Sequence, residues 1–132
     1  MIARILALVL LLGSAAACGA EEGPYLFDLL KQQTYLAAWK AMLAGETVPA
    51  WVGKYATTFD GPSSPSKQVS VGSETYTLAW VCKAHDCGDN QLHVLFSPDG
   101  KQAWGLLITG QQRRWLGKPD AAIQTAIQSN VE

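Results

Sequence analysis

Two cysteines five positions apart, Cys82 and Cys87, constrain the fold of this chain more than any other feature of its sequence. They bracket Lys-Ala-His-Asp and are followed by Gly-Asp-Asn, so turn-forming residues stand where the flanking strand-like pattern would otherwise continue. This pattern predicts a protruding loop between two strands. A disulfide here would close so small a ring that its effect on the unfolded chain is only about 2 kcal/mol. We therefore expect the ring to order its loop for a partner, because residues that are fixed beforehand lose less entropy on binding.

The hexapeptide Cys-Lys-Ala-His-Asp-Cys at residues 82–87 resembles the Cys-Lys-Pro-His-Asp-Cys loop of the Ivy family, periplasmic inhibitors of vertebrate lysozyme in Gram-negative bacteria. Two further stretches resemble the same family in the same order, Val-Pro-Ala-Trp-Val at 48–52 and Val-Gly-Ser-Glu-Thr-Tyr at 71–76. Together they make the resemblance more specific than a single short motif. The chain departs from the family at Ala84, where proline is usual.

The resemblance implies an inhibitor of c-type lysozyme, not an enzyme, that inserts this loop into the active-site cleft. His85 would be the key residue, because one imidazole can offer a donor and an acceptor to the two carboxylates of a muramidase. Loss of the proline predicts an affinity about two- to fivefold weaker, since the loop is freer before binding. The inhibitory loop is predicted to comprise Cys82, Lys83, Ala84, His85, Asp86, Cys87 and Gly88, with Lys83 and Asp86 in supporting contacts and Gly88 easing entry.

Other functions remain open at this point. The loop could bind an endogenous lytic transglycosylase, whose cleft also holds peptidoglycan and uses a carboxylate. Cys82, His85 and Cys87 could ligate a metal, with His93 as a fourth ligand, although the spacing is not that of a zinc finger. The loop could also be no more than a stapled hairpin tip. Catalysis by the chain itself is disfavoured, because it has no phosphate loop, nucleophile elbow or clustered acid pair, and no cofactor is expected.

The first twenty residues form a separate segment. Arg4 precedes a short apolar run that ends in small residues, which is typical of a secretory signal peptide over residues 1–20. A lipoprotein cleavage before Cys18 is the alternative. Cleavage after Ala20 leaves an even pair of cysteines in an oxidising compartment, which favours a Cys82–Cys87 disulfide and a periplasmic location.

The remaining 21–132 segment is predicted to be a single domain, since a chain of 132 residues can bury one ordinary core. Loss of Arg4 with the signal peptide leaves nine Lys and Arg against eleven Asp and Glu. This balance does not suggest binding to nucleic acid, and the segment contains no stretch that predicts a membrane span. A homodimer is compatible with the sequence, which does not decide the oligomeric state.

The fold class is predicted to be α+β: an antiparallel meander of four to five strands, an N-terminal amphipathic helix and a short C-terminal helix. The helix is expected over 25–44 with Trp39 in packing contacts, and an internal start at Thr34, after a looser N-terminal turn, is the alternative. An extended segment at 48–52 and a loop at 55–67 are expected to follow. Strands are expected at 68–71, 74–82, 91–97 and 102–109, with a short edge strand near 111–116 and the last helix after Pro119. In the second strand the heavier face, Tyr76, Leu78 and Trp80, is assigned to a core.

Overall fold

A computed structural model describes residues 22–131 of the chain. The predicted signal peptide at 1–20 and the alternative lipid anchor at Cys18 lie outside these residues. Within the described part, no helix has both the length and the apolar character needed to span a membrane.

Within residues 22–131, five strands form one antiparallel meander, and four helices accompany it. Each strand pairs with the next one along the chain, so the sheet order is the sequence order. The predicted α+β class is confirmed, including the short edge strand. The elements are α1 (Leu26–Leu29), α2 (Gln33–Leu43), α3 (Ala50–Thr58), β1 (Ser63–Val71), β2 (Glu74–Cys82), β3 (Asn90–Phe96), β4 (Ala103–Thr109), β5 (Gln112–Leu116) and α4 (Ala121–Gln128).

Both faces of the sheet are covered. Helices α1 to α3 pack against one face to form the larger core, which includes the buried Trp39, and α4 packs against the other to form a smaller core. Strand β2 therefore contributes to both: Ala79 and Val81 face the larger core, while Leu78 and Tyr76 lie with the smaller one. The face of β2 with the larger side chains contacts a core, as predicted. The larger core, however, lies against the opposite face, which carries Ala79 and Val81.

One continuous helix over 25–44 is not formed, because the chain breaks between α1 and α2, and α2 begins one residue before the alternative start at Thr34. Gln32, which immediately precedes α2, has an extended backbone (φ −89°, ψ 130°). A continuous helix would carry the apolar stripe of α1 onto Gln33, Thr34 and Ala37, since neighbours on a helix face lie three or four residues apart. The break rotates the chain so that the buried residues of α2 are Ala38, Trp39 and Met42.

The prediction of an extended segment at 48–52 is also wrong, and the loop predicted at 55–67 is confined to residues 59–62. Pro49 precedes α3, and its carbonyl accepts hydrogen bonds from the amides of Val52 and Gly53. Proline suits a helix start, because the first amides of a helix have no partner within it. The following Ser- and Pro-rich stretch lies in edge strand β1, which tolerates Pro65 through an irregularity between Ser64 and Lys67.

Candidate functional site

The Cys82–Cys87 segment forms the tip of the hairpin that joins β2 and β3, as its sequence predicts. Cys82 and Cys87 form a disulfide with their Cα atoms 4.9 Å apart, so the predicted pairing is confirmed. Cys82 is fully buried as the last residue of β2, whereas Cys87 is half-buried. The ring is thus attached to the sheet at one end and enters solvent at the other.

A tight turn inside the ring presents His85. The amide of Asp86 donates to the carbonyl of Lys83 at 3.0 Å, which closes a four-residue turn with Ala84 and His85 at its centre. His85 has φ +64°, and Ala84 is not among the residues with positive φ, so the turn is of type II. Histidine is one of the few residues with a side chain that adopts this left-handed backbone with some frequency. The side chains of Lys83, Ala84 and His85 are all exposed.

Asp86 and Asn90 hold the returning half of the loop. The Asn90 side-chain amide donates to the Asp86 carboxylate at 2.8 Å, and the Asn90 amide donates to the Asp86 carbonyl at 3.2 Å. The Asn90 carbonyl in turn accepts from the amide of Lys83 at 3.0 Å. Asp86 is therefore half-buried and bonded within the loop, which leaves Lys83 and His85 as the exposed ionisable side chains of the ring.

Neighbouring segments support the base of the loop. The amide of Cys82 donates to the carbonyl of Pro62 at 3.0 Å, and the amide of Gly110 donates to the carbonyl of Asp89. Gly61 lies so close that a Cβ atom there would be 2.2 Å from the Cys82 carbonyl oxygen, at a φ of +123° that favours glycine. The close approach of the chain at Gly61 therefore fixes the position of Cys82, where β2 ends and the ring begins.

Gly88 differs from Gly61, because nothing in the protein itself crowds it. A Cβ atom built at Gly88 would meet no atom within 4 Å, and its φ lies outside the left-handed region. Within the described residues, neither the backbone nor the packing requires glycine at this position.

Sequence reasoning missed Gln91, which contacts the ring from β3. It pairs with Cys82 in the sheet register, and its side-chain amide donates to the carbonyl of Cys87 at 3.0 Å. His93 lies two residues further along the same face, and its Nε2 is 3.2 Å from Oε1 of Gln91. The sequence does show polar side chains at alternate positions, 91 and 93, of an otherwise apolar strand. Because residues two apart share a strand face, this pattern could have indicated the contact between them.

His93 is buried, with a relative exposure of 6%. Burial, together with smaller contributions from the nearby cations Lys67 and Arg113, lowers the pKa of His93 to about 4. The imidazole is thus neutral at ordinary pH.

The metal alternative loses its ligands in this geometry. The sulfurs of Cys82 and Cys87 are bonded to each other, and His93 bonds to Gln91 on the sheet. Among residues 22–131, no group of three or more His, Cys, Asp or Glu side chains could hold a metal ion.

Comparisons with known proteins agree with the loop motif. The family described as "Inhibitor of vertebrate lysozyme (Ivy)" matches residues 34–130. A protein named inhibitor of vertebrate lysozyme from Pseudomonas aeruginosa is 38% identical over 149 aligned positions, covering 99% of this chain and 94% of that protein. One of the same name from Escherichia coli K12 is 33% identical over 113 positions, covering 81% of this chain and 69% of that protein. An uncharacterised protein from Yersinia pestis is 33% identical over 83% of this chain and 77% of its own length.

Proposed function

Since the chain belongs to the Ivy family of inhibitors of vertebrate lysozyme, we propose that its function is to inhibit a lysozyme of the c-type. The family consists of inhibitor proteins and not of enzymes. The partner is accordingly another protein, bound stoichiometrically.

The proposed mechanism is occlusion of the lysozyme active site by the disulfide-closed loop. The observation that carries it is the exposed His85 at the centre of a hydrogen-bonded turn, within a ring closed by Cys82 and Cys87. Lysozyme-type muramidases act with two carboxylates on either side of a cleft, one protonated and one ionised. A single imidazole between them can donate to one and accept from the other, and it offers no glycosidic bond to cleave.

The other loop residues have distinct proposed roles. Lys83 is exposed beside His85, and its ammonium group suits a cleft that contains carboxylates. Asp86 acts within the ring, because its carboxylate is bonded to Asn90. Gly88 has open space around it in the free protein, so we assign its lack of a side chain to clearance against the partner.

We also propose that the mature protein is residues 21–132, secreted into the periplasm after removal of residues 1–20. A disulfide at Cys82–Cys87 supports this location, because such bonds persist in oxidising compartments.

The direct test is a titration of c-type lysozyme activity on cell-wall substrate with the purified mature protein. We expect activity to fall to a plateau near one equivalent of protein. His85→Ala should weaken inhibition by at least roughly 30-fold, as for a central interface residue. Lys118→Ala is the matched control, because Lys118 is also exposed with a left-handed backbone (φ +56°) but lies outside the loop.

Absence of inhibition by a large excess of protein with an intact disulfide would overturn the proposal. The same titration against a bacterial lytic transglycosylase would then test the remaining target. Equal inhibition by wild type and His85→Ala would retain the lysozyme partner and reject the role of His85.

A further inference from the structure

The hydrogen bonds of Gln91 define the orientation of its side-chain amide. Its Nε2 lies 3.0 Å from the Cys87 carbonyl, and a carbonyl only accepts, so this atom is the NH₂ group. Oε1 therefore points to His93, and the 3.2 Å contact with Nε2 requires that His93 carries its proton there. The two bonds run in one direction, from His93 through Gln91 to Cys87.

Gln91 and His93 together connect the sheet to Cys87, in the half of the ring that lies beyond the paired strands. Cys82 and Gln91 are the last register partners of β2 and β3, so regular pairing ends there. Cys87 lies beyond it, attached to Cys82 through the disulfide. The side chain of Gln91 thus closes the same ring a second time, by a hydrogen bond to the backbone of Cys87.

Packing alone does not hold Gln91 in this position. Gln91 and His93 both border a cavity of about 330 Å³, together with Trp80, Lys67 and Asn130. A half-buried glutamine beside such a space has room for other rotamers. His93 removes that freedom, because it is buried on the sheet and its donor is directed at the amide oxygen.

We propose that Gln91, oriented by His93, is a positioning residue that keeps the inhibitory loop in its binding conformation. The inference rests on the proposed function for its effect on lysozyme, but its effect on the loop of the free protein does not. Neither side chain needs to touch lysozyme. Loss of the pair would lower the fraction of loops that are ready to bind and would weaken apparent affinity by the same factor.

The test uses two nearly isosteric substitutions in the mature protein. Gln91→Met keeps the length of the side chain and removes both hydrogen bonds. Gln112→Met is the matched control, because Gln112 is an exposed glutamine on strand β5. Amide hydrogen exchange is measured by NMR in the absence of lysozyme, at the loop amides of Asp86 and Asn90, with Leu107 in β4 as the core reference.

We expect Gln91→Met to accelerate exchange at Asp86 and Asn90 by roughly two- to tenfold, the effect of one lost hydrogen bond. Exchange at Leu107 should stay unchanged, and the inhibition constant for lysozyme should rise in proportion to the fall in the fraction of binding-competent loops. A structural role alone would instead accelerate exchange throughout the sheet. Unchanged loop exchange in Gln91→Met would overturn the proposal.

A second pair of variants tests the contribution of His93. His93→Gln retains a donor near the position of Nε2, whereas His93→Phe keeps a flat ring without one. The loop should stay ordered in His93→Gln and loosen in His93→Phe, and equal loop exchange in these two variants would contradict the proposal. If wild-type protein fails to inhibit lysozyme, the proposed function fails, while the exchange measurements still decide whether the pair orders the loop.

Discussion

The side-chain amide of Asn90 donates a 2.8 Å hydrogen bond to the carboxylate of Asp86, inside the loop that presents His85. An acidic residue of the loop motif is thereby engaged by its own protein before any partner arrives. Asp86 is half-buried at this contact, so water competes for its carboxylate only in part. The loop is consequently ordered by side-chain bonds as well as by its disulfide.

Substitution of Asp86 by alanine should therefore loosen the loop. The backbone bonds of Asp86 remain, so we expect the ordered loop to lose about 1 kcal/mol, which sets an upper limit of about fivefold on the rise of the inhibition constant for lysozyme. Asp89→Ala is the control, since it removes a neighbouring acid that is exposed. If Asp86→Ala weakens inhibition while loop hydrogen exchange in the free protein stays at the wild-type rate, the carboxylate acts on the partner instead.

Introduction of proline at Ala84 should strengthen inhibition. Ala84 occupies the second position of a type II turn, where proline is favoured, and its amide makes no hydrogen bond to the described residues. A compatible proline reduces the freedom of the flexible loop by about 0.4–1 kcal/mol, which predicts an inhibition constant two- to fivefold lower.

Ala84→Gly should act in the opposite direction, because glycine widens the range of backbone conformations at the same position. Inhibition constants for the two variants, measured beside wild type, would give this order. A weaker inhibitor after Ala84→Pro would mean that the bound loop does not keep the turn.

A side chain at Gly88 should affect binding without affecting folding. The free protein has space for a methyl group there and a compatible backbone, so Gly88→Ala should leave the unfolding free energy within about 0.5 kcal/mol of wild type. Lysozyme inhibition should weaken, because the methyl group would enter the proposed interface. Gly61→Ala is the contrasting variant and should destabilise the fold, since its Cβ would collide with Cys82. Unchanged inhibition by Gly88→Ala would remove this residue from the interface.

Acid should destabilise the fold through His93. Its pKa is about 4 in the folded protein against an ordinary 6.5, so the folded state binds fewer protons than the unfolded state between these values. The stabilisation is complete above pH 6.5 and is lost as the pH falls towards about 4. A shift of this size corresponds to about 3 kcal/mol. Lys67 on β1 and Arg113 on β5 contribute to this shift, and the segment that follows α4 contributes the neutral Asn130 to the same cavity.

Urea unfolding at neutral pH and near pH 4 would measure this loss. His93→Gln cannot be protonated in that range, so its stability should fall less than that of wild type by the same 3 kcal/mol or so. An equal loss of stability in wild type and in His93→Gln would show that carboxylates, and not His93, govern the acid sensitivity.

The sheet and the ring could be predicted from local signals. Gly72 and Ser73 form a two-residue hairpin turn. The strands that flank each later turn show alternating apolar residues. Turn-forming residues between two strand patterns likewise place Cys82 and Cys87 at the tip of a hairpin. These features depend on residues close together in sequence, which a single chain reveals.

The rest depended on tertiary contacts. Pro49 is compatible with either an extended segment or a helix start, and packing of Val52 and Tyr55 against the sheet selects the helix. The Ser- and Pro-rich start of β1 has a loop-like composition, yet it pairs with β2 as an edge strand. The bond from Gln91 to Cys87 depends on the side-chain rotamer, on which the sequence pattern is silent.

Most of the hydrogen bonds that shape the ring join residues between Cys82 and Gln91, a contiguous stretch of ten residues, while bonds to Pro62, His93 and Gly110 attach this stretch to the rest of the protein. The larger and smaller cores, by contrast, are assembled from elements distributed along the whole described chain. The shape of the ring therefore depends mainly on residues that are close together in sequence. The two cores depend on residues that are far apart in sequence. On the proposed mechanism, we expect substitutions within the ring to change the choice of target enzyme while the two cores stay intact, so that recognition and foldability can evolve separately.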